Sequence, residues 1–283
     1  MGSSFALTLR AKGVVSHVVG VDKSCEHLET ALSMGIINEA VTLEQLHGRE
    51  DIDLVCLTIP VDKIPETAIK LLNKAHPNLI VMDMGSTKSH ICELLSQHVR
   101  RSQFVATHPM WGTELHGPGA AVDNAFEGRA AVLCEPDLSD PTAVKTVEYI
   151  YGVMGMKLEY MDAEQHDIHT AYVSHISHIT SYALALTVME KEREEDHIFS
   201  LSGGGFESTV RLAKSPASMW TPIFINNKYN VLDVLREHIH QLQIIRKMIE
   251  NDDIEGLNRS ITKANRVAKI LRQKTVKKAK KTN

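Results

Sequence analysis

The sequence predicts an α/β domain on a parallel sheet followed by an all-helical domain, and three observations carry that expectation. Short apolar runs alternate with helical patterns of about ten to fifteen residues as far as Tyr160, which is the signature of βαβ units. After Asp162 no further strand pattern occurs, and long helical runs remain. The polar clusters suited to chemistry follow the apolar runs, and ligands bind at the carboxyl ends of strands in open α/β sheets. The domain boundary is therefore expected near residue 162, dividing the chain into 1–162 and 163–283.

Each element has a local reason. Gly2 to Lys12 has small and apolar residues at helical spacing and stops at Gly13. The run 14–22 reads as a buried strand ending in Asp22, and Ser24 as the N-cap of a helix through Met34. Residues 53–59 form the next strand, closed by Pro60, and an amphipathic helix is expected over 64–74. A strand at 79–83 leads through Gly85-Ser86-Thr87-Lys88 into a helix ending near Leu95. Strands follow at 104–107, 130–134 and 157–160, with a helix over 141–154. In the second half, helices are expected over 164–190, near Arg211, over 229–251 and over 255–272, with a break at Gly203-Gly204-Gly205. The charged stretch 190–196 reads as a solvated connection.

Composition narrows the class. The chain has 283 residues, 43% hydrophobic and 23% charged, with a net charge of −4, which describes a globular cytoplasmic protein and does not favour nucleic acid as a partner. No apolar run is long enough to span a membrane and no signal pattern opens the chain. Cys25, Cys56, Cys92 and Cys134 are widely spaced and read as reduced, mostly buried thiols. The run Lys263–Lys281 holds nine Lys or Arg and no acid, which suits a solvated terminal helix.

The chemistry centres on His108-Pro109-Met110-Trp111-Gly112-Thr113-Glu114, with Gly117 close behind. His108 ends a strand-like run, Pro109 biases it toward extended geometry, and an imidazole accepts a proton near neutral pH. Ser86, in a loop that opens a helix, is expected to hydrogen-bond His108 or the substrate. The upstream glycine of a phosphate loop is missing there. In the helical half Ser174 and His178 are four apart and share a helix face. His166 and His169 raise the question of a metal, which the lack of a carboxylate at matching spacing argues against. Arg211 projects from the segment after the three glycines, and a guanidinium binds a carboxylate through two parallel hydrogen bonds.

Asp22 lies twenty residues after Gly2, where a Rossmann-type dinucleotide-binding fold places the acid that binds the ribose 2′-hydroxyl. An acid there favours NAD over NADP. Gly2 and Ser3 supply only the end of the glycine fingerprint, and Thr58 and Pro60 are expected to border the cofactor from the next strand end. The natural polypeptide is accordingly expected to start about ten residues upstream, one strand plus its glycine turn.

Together these residues resemble the prephenate/arogenate dehydrogenase family of tyrosine biosynthesis. The matching pieces are Asp83-x-Gly-Ser-Thr-Lys88, His108-Pro-Met-x-Gly-Thr-Glu114 with Gly117, Phe126-Glu-Gly-Arg129, His166-Asp167, Ser174-His-x-x-His178, Gly203-Gly-Gly-Phe206 with Arg211, and Met219-Trp220. The resemblance implies a Rossmann-type domain followed by an all-α dimerisation domain. It also implies NAD-dependent oxidative decarboxylation of prephenate to 4-hydroxyphenylpyruvate. It gives His108 the ring-hydroxyl proton, makes Ser86 its support and Arg211 the holder of a carboxylate. Ser174, His178, Gly112, Thr113 and Glu114 are expected to line the substrate pocket.

Three other readings compete. Arogenate is an alternative substrate. Another dehydrogenase of the same architecture acting on a small hydroxy acid is a second; such enzymes rely on a lysine in the helical domain, and none follows residue 162 until Lys191. A non-enzymatic remnant that binds a cofactor or regulates is the third, motivated by the incomplete fingerprint.

Overall fold

The computed structural model describes residues 1–271. Its first helix, α1 (Gly2–Ala11), is followed by β1 (Val19–Gly20), α2 (Cys25–Ser33), β2 (Glu39–Ala40) and α3 (Leu43–Leu46). The main sheet is formed by β3 (Leu54–Leu57), β4 (Ile80–Asp83), β5 (Phe104–Pro109), β6 (Ala130–Cys134) and β7 (Lys157–Met161), in that order. Helices α4 (Ile64–Lys74), α5 (Ser89–Leu95) and α6 (Pro141–Val153) connect these strands. The helical half contributes α7 (Ala163–Thr170), α8 (Ile176–Glu192), α9 (Gly204–Val210), α10 (Ala217–Asn226), α11 (Lys228–Glu250) and α12 (Ile254–Ala264).

Local chemistry explains these boundaries. The Ser24 hydroxyl accepts the His27 amide at 3.2 Å and starts α2. Asp140 caps α6 by accepting the Thr142 and Ala143 amides, with Pro141 already at its first turn. In α4 the buried positions Ile64, Ala68, Leu71 and Leu72 share one face, while Glu66 and Lys70 pair at 2.6 Å on the other.

Strand residues alternate between two cores, one on each face of the sheet. Val81, Phe104, Ala106, Val132 and Cys134 join the α4 side, whereas Met82, Val105, Ala131 and Leu133 join Phe5, Phe126 and Tyr151 on the other. Burial on both faces explains why the strands read as continuous apolar runs. Trp220 and Ile223 of α10 pack into the first core, so this helix of the second half packs directly against the α4 side of the sheet. By density of contacts, residues 1–230 form one compact unit and the described residues from 231 onward another.

Several expectations need correction. The strand expected over 14–22 is reduced to Val19–Gly20, which pairs only with β2 in a separate two-stranded sheet. A strand persists only where a neighbour takes its hydrogen bonds. The main sheet is mixed, because β5 and β6 run antiparallel. A parallel pair needs a crossover, usually a helix, and the connection 110–129 holds no helix beyond the three-residue 3-10 turn Pro118–Ala120. The helix expected over 164–190 is interrupted by one π-helical turn at Ala171–His175, a widening that is rare and frequent at functional sites. The three glycines only half break the chain, since α9 starts at Gly204. Cys25 is exposed and Cys56 half-buried, leaving Cys92 and Cys134 buried. Residues 272–283, with the end of the basic run and of the last expected helix, lie outside the described residues.

Candidate active site

Neighbouring strands β3, β4 and β5 run parallel, so their C-terminal ends bring Thr58 and Pro60, then Ser86, then His108 to one edge of the sheet. The loop after β4 is wound around Asp83. Its carboxylate accepts the Gly85 amide at 2.8 Å and the Thr107 amide at 3.1 Å, and it pairs with the Lys88 ammonium. Both charged groups are fully buried. Lys88 is therefore a structural cation clamping the loop, which agrees with the missing phosphate-loop glycine. A side chain at Gly85 would lie 2.8 Å from Asp83 Oδ2 and from Ile64 Cδ1, so only glycine fits this close approach.

His108 sits at the last-but-one position of β5 and is almost fully buried. Its Nδ1 is 2.8 Å from Nε2 of His166 on α7, and Nδ1 of His166 is 2.8 Å from Oδ1 of Asp167. The Asp167 carboxylate also accepts the Lys88 amide at 2.7 Å and the Ser89 amide at 2.9 Å at the start of α5. Burial holds the His108 imidazole well below its ordinary pKa, with His166, Lys88 and His175 adding to the effect. His166 is also lowered by burial, against the pull of Asp167. Burial would raise Asp167, but its bond to His166 and the two backbone amides outweigh that and keep it ionised.

Of the two bonds expected of Ser86, to His108 or to the substrate, the first is not formed. The ring partner is His166, and Ser86 stays half-buried at the same strand edge. The contact of His166 and Asp167 with His108 was not expected from the sequence, although an acid directly following a histidine at the start of a helix was the available signal.

The remaining candidates divide into two groups. Arg211 and Glu114 meet, with Arg211 Nη1 3.4 Å from Glu114 Oε2. The Leu115 amide donates to the Thr113 hydroxyl at 3.3 Å, and Gly112 has open space around it. His178 Nδ1 faces the Ser174 carbonyl rather than its hydroxyl, at 3.2 Å, and the His178 ring stacks on Trp220 at 3.4 Å between centroids. Trp220 itself belongs to the core, as its apolar surroundings on α10 suggest.

On the cofactor side, a Cβ on Gly2 would lie 2.5 Å from Thr58 Oγ1, so the start of α1 abuts the end of β3. Ser3 follows in the first turn of α1, and Thr58 and Pro60 are exposed. Asp22 is exposed two residues beyond β1; its Oδ1 accepts the Ser24 amide at 2.8 Å and lies 3.5 Å from His27 Nδ1. Its second oxygen has no protein partner among the described residues. An exposed carboxylate with one open oxygen fits a ribose diol.

Residues 5–160 match the family profile "Prephenate dehydrogenase, nucleotide-binding domain", and residues 162–263 match "Prephenate dehydrogenase, dimerization domain". Among curated proteins, the chain is 30% identical over 264 residues to prephenate dehydrogenase of Bacillus subtilis, covering 92% of this chain and 70% of that one. Among solved structures it is similar to prephenate dehydrogenase of Aquifex aeolicus in complex with hydroxyphenyl propionate and NAD+, with 30% identity and a TM-score of 0.88 over 96% of this chain and 94% of that one. It is also similar to Synechocystis arogenate dehydrogenase, with 25% identity and a TM-score of 0.74 over 95% of each chain. The chain belongs to the prephenate dehydrogenase family of oxidoreductases.

Proposed function

We propose that the protein is an NAD-dependent prephenate dehydrogenase that converts prephenate to 4-hydroxyphenylpyruvate and CO2, with His108 as the base. The observation that carries this is the free face of His108. Its Nδ1 is engaged by His166, while Nε2 has no protein partner among the described residues and lies at the ligand edge of the sheet. A buried neutral imidazole held in this way accepts the ring-hydroxyl proton at Nε2. NAD bound there would supply the acceptor for the hydride on the carbon bearing that hydroxyl. The bond to the ring carboxylate then breaks to release CO2, and its electrons complete the aromatic ring and leave the charge on the oxygen. His108 returns its proton there to give the phenol. Aromatisation drives the loss of CO2, so the protein has to supply position and charge.

Asp22, Gly2, Ser3, Thr58 and Pro60 would hold the dinucleotide, with Ser86 at the nicotinamide end beside His108. Arg211 would hold a substrate carboxylate, and Ser174, His178, Gly112 and Thr113 would complete the pocket. The division proposed near residue 162 is supported by the two family profiles, one ending at residue 160 and the other starting at 162. Self-association through the helical half, as a homodimer, is supported by the dimerization profile and by exposed Leu232, Ile239, Leu242, Ile245 and Ile249 along α11. No described helix is long and apolar enough to cross a membrane.

Arogenate is the second reading. Glu114, beside Arg211, is a carboxylate suited to the amino group that arogenate carries in place of the prephenate keto group. Following NADH absorbance with prephenate and with arogenate tests both. A higher kcat/KM for arogenate would move the assignment to it, and no NADH from either would remove the activity.

A further inference from the structure

We infer that Asp167 and His166 are positioning residues that fix the tautomer of His108 and tie it to the loop preceding α5. This rests on the reading of His108 as the base. The inference follows from counting protons along two contacts. An ionised carboxylate only accepts hydrogen bonds, so the His166 Nδ1 facing Asp167 at 2.8 Å must carry its proton. A neutral His166 then presents a lone pair on Nε2. The His108 Nδ1 facing that lone pair at 2.8 Å must in turn be the donor. His108 is thereby left with a lone pair on Nε2, the nitrogen that has no protein partner among the described residues.

The arrangement serves the step as well as the resting state. When Nε2 takes a proton, His108 becomes a cation and keeps its Nδ1–H on His166. No second transfer is required, and the Asp167 charge favours the cation through the intervening ring. Outer-shell partners of this kind orient a histidine and raise its basicity. The groups around His108 are His166 and Asp167 from α7, Lys88 with its partner Asp83 from the loop after β4, and His175 from the π-turn. Burial, His166, Lys88 and His175 all oppose the cation, and the nearest negative charge along the chain of contacts is Asp167, behind His166.

Asp167 has a second attachment. Its two oxygens accept the Lys88 and Ser89 amides, 79 and 78 residues away in sequence. The Asn227 side chain donates to its carbonyl at 2.7 Å. The base, the loop holding Ser86 and the start of the helical half thus share one carboxylate, and the distance between the base and that loop is set by it.

The test combines imidazole nitrogen NMR with kinetics on the full chain, using His108→Asn to assign the signal. The wild type should show His108 with an unprotonated Nε2 at neutral pH. His166→Leu should mix the two tautomers and lower kcat about 10–100-fold, with the prephenate KM and NAD affinity little changed. His166→Gln places an amide oxygen where Nε2 accepts, so it should keep the tautomer and recover most of kcat. A His108 protonated on Nε2 in the wild type overturns the inference, and so does an equal loss of kcat in the Leu and Gln variants. If the wild type oxidises neither prephenate nor arogenate, the activity reading fails instead, while the tautomer of the wild type still decides the positioning role.

Discussion

Arg211 Nη1 lies 3.4 Å from Glu114 Oε2, joining two residues 97 apart in sequence and drawn from the two halves of the chain. More than half of the Arg211 side chain is exposed, so solvent screens the pair and its worth to stability is at most about 1 kcal/mol. The pair holds a guanidinium beside the loop that follows His108.

Arg211→Gln should therefore raise the KM for prephenate by about tenfold or more, the scale of a charge-assisted hydrogen bond, with a smaller change in kcat and no loss of stability. Steady-state kinetics and a thermal melt check this. An unchanged KM in a folded variant would remove Arg211 as the carboxylate anchor.

His108→Asn should lower kcat by at least about 100-fold, the low end for loss of a general base, with NAD affinity measured by fluorescence quenching nearly unchanged. The protonated imidazole cannot accept, so the wild-type rate falls with acidification. Because burial lowers the His108 pKa, that fall should come below the ordinary histidine value near 6.5. An acid limb above that value would contradict the buried, neutral base.

Lys88→Met leaves the Asp83 carboxylate fully buried without its cation. Breaking such a pair costs about 3–5 kcal/mol, which urea unfolding should detect. Adding Asp83→Asn should restore part of the loss, since removing both charges also removes the uncompensated one. If Lys88→Met proves as stable as wild type, the clamp contributes nothing.

Stability should also decline in acid. His175 is buried beside Asn227, and burial, set against Asp167, brings its pKa down to about 4. Its folded pKa lies below the unfolded value of about 6.5, so the unfolded chain takes up the proton first and stability is lost as pH falls from about 6.5 to 4. The full effect is about 3 kcal/mol. His175→Gln keeps a polar partner for Asn227 and should flatten this dependence in urea melts at pH 7 and 4.5. Parallel curves for the two proteins would count against it.

Most of the element plan was readable from periodicity, because α4, β6 and α6 follow local rules of spacing and capping that need no distant partner. The family was readable too, since its motifs lie within short contiguous stretches. What the pattern did not show were properties that depend on neighbours. The run 14–22 has a strand's composition but pairs over only two residues, and the antiparallel turn from β5 to β6 depends on what fills the connection.

The sequence by itself determined that His108 would stand at a strand end with a proline behind it, that Ser86 would lie in the loop leading into a helix, and that Asp22 would close the first apolar run. Those are consequences of covalent geometry and local propensity. Only the tertiary structure decided which nitrogen of His108 is free, because that depends on His166 and Asp167 lying 58 and 59 positions further along the chain and arriving within hydrogen-bond reach. A hydrogen-bond partner is chosen by proximity in space, and packing of α7 against the sheet and α5 put it there.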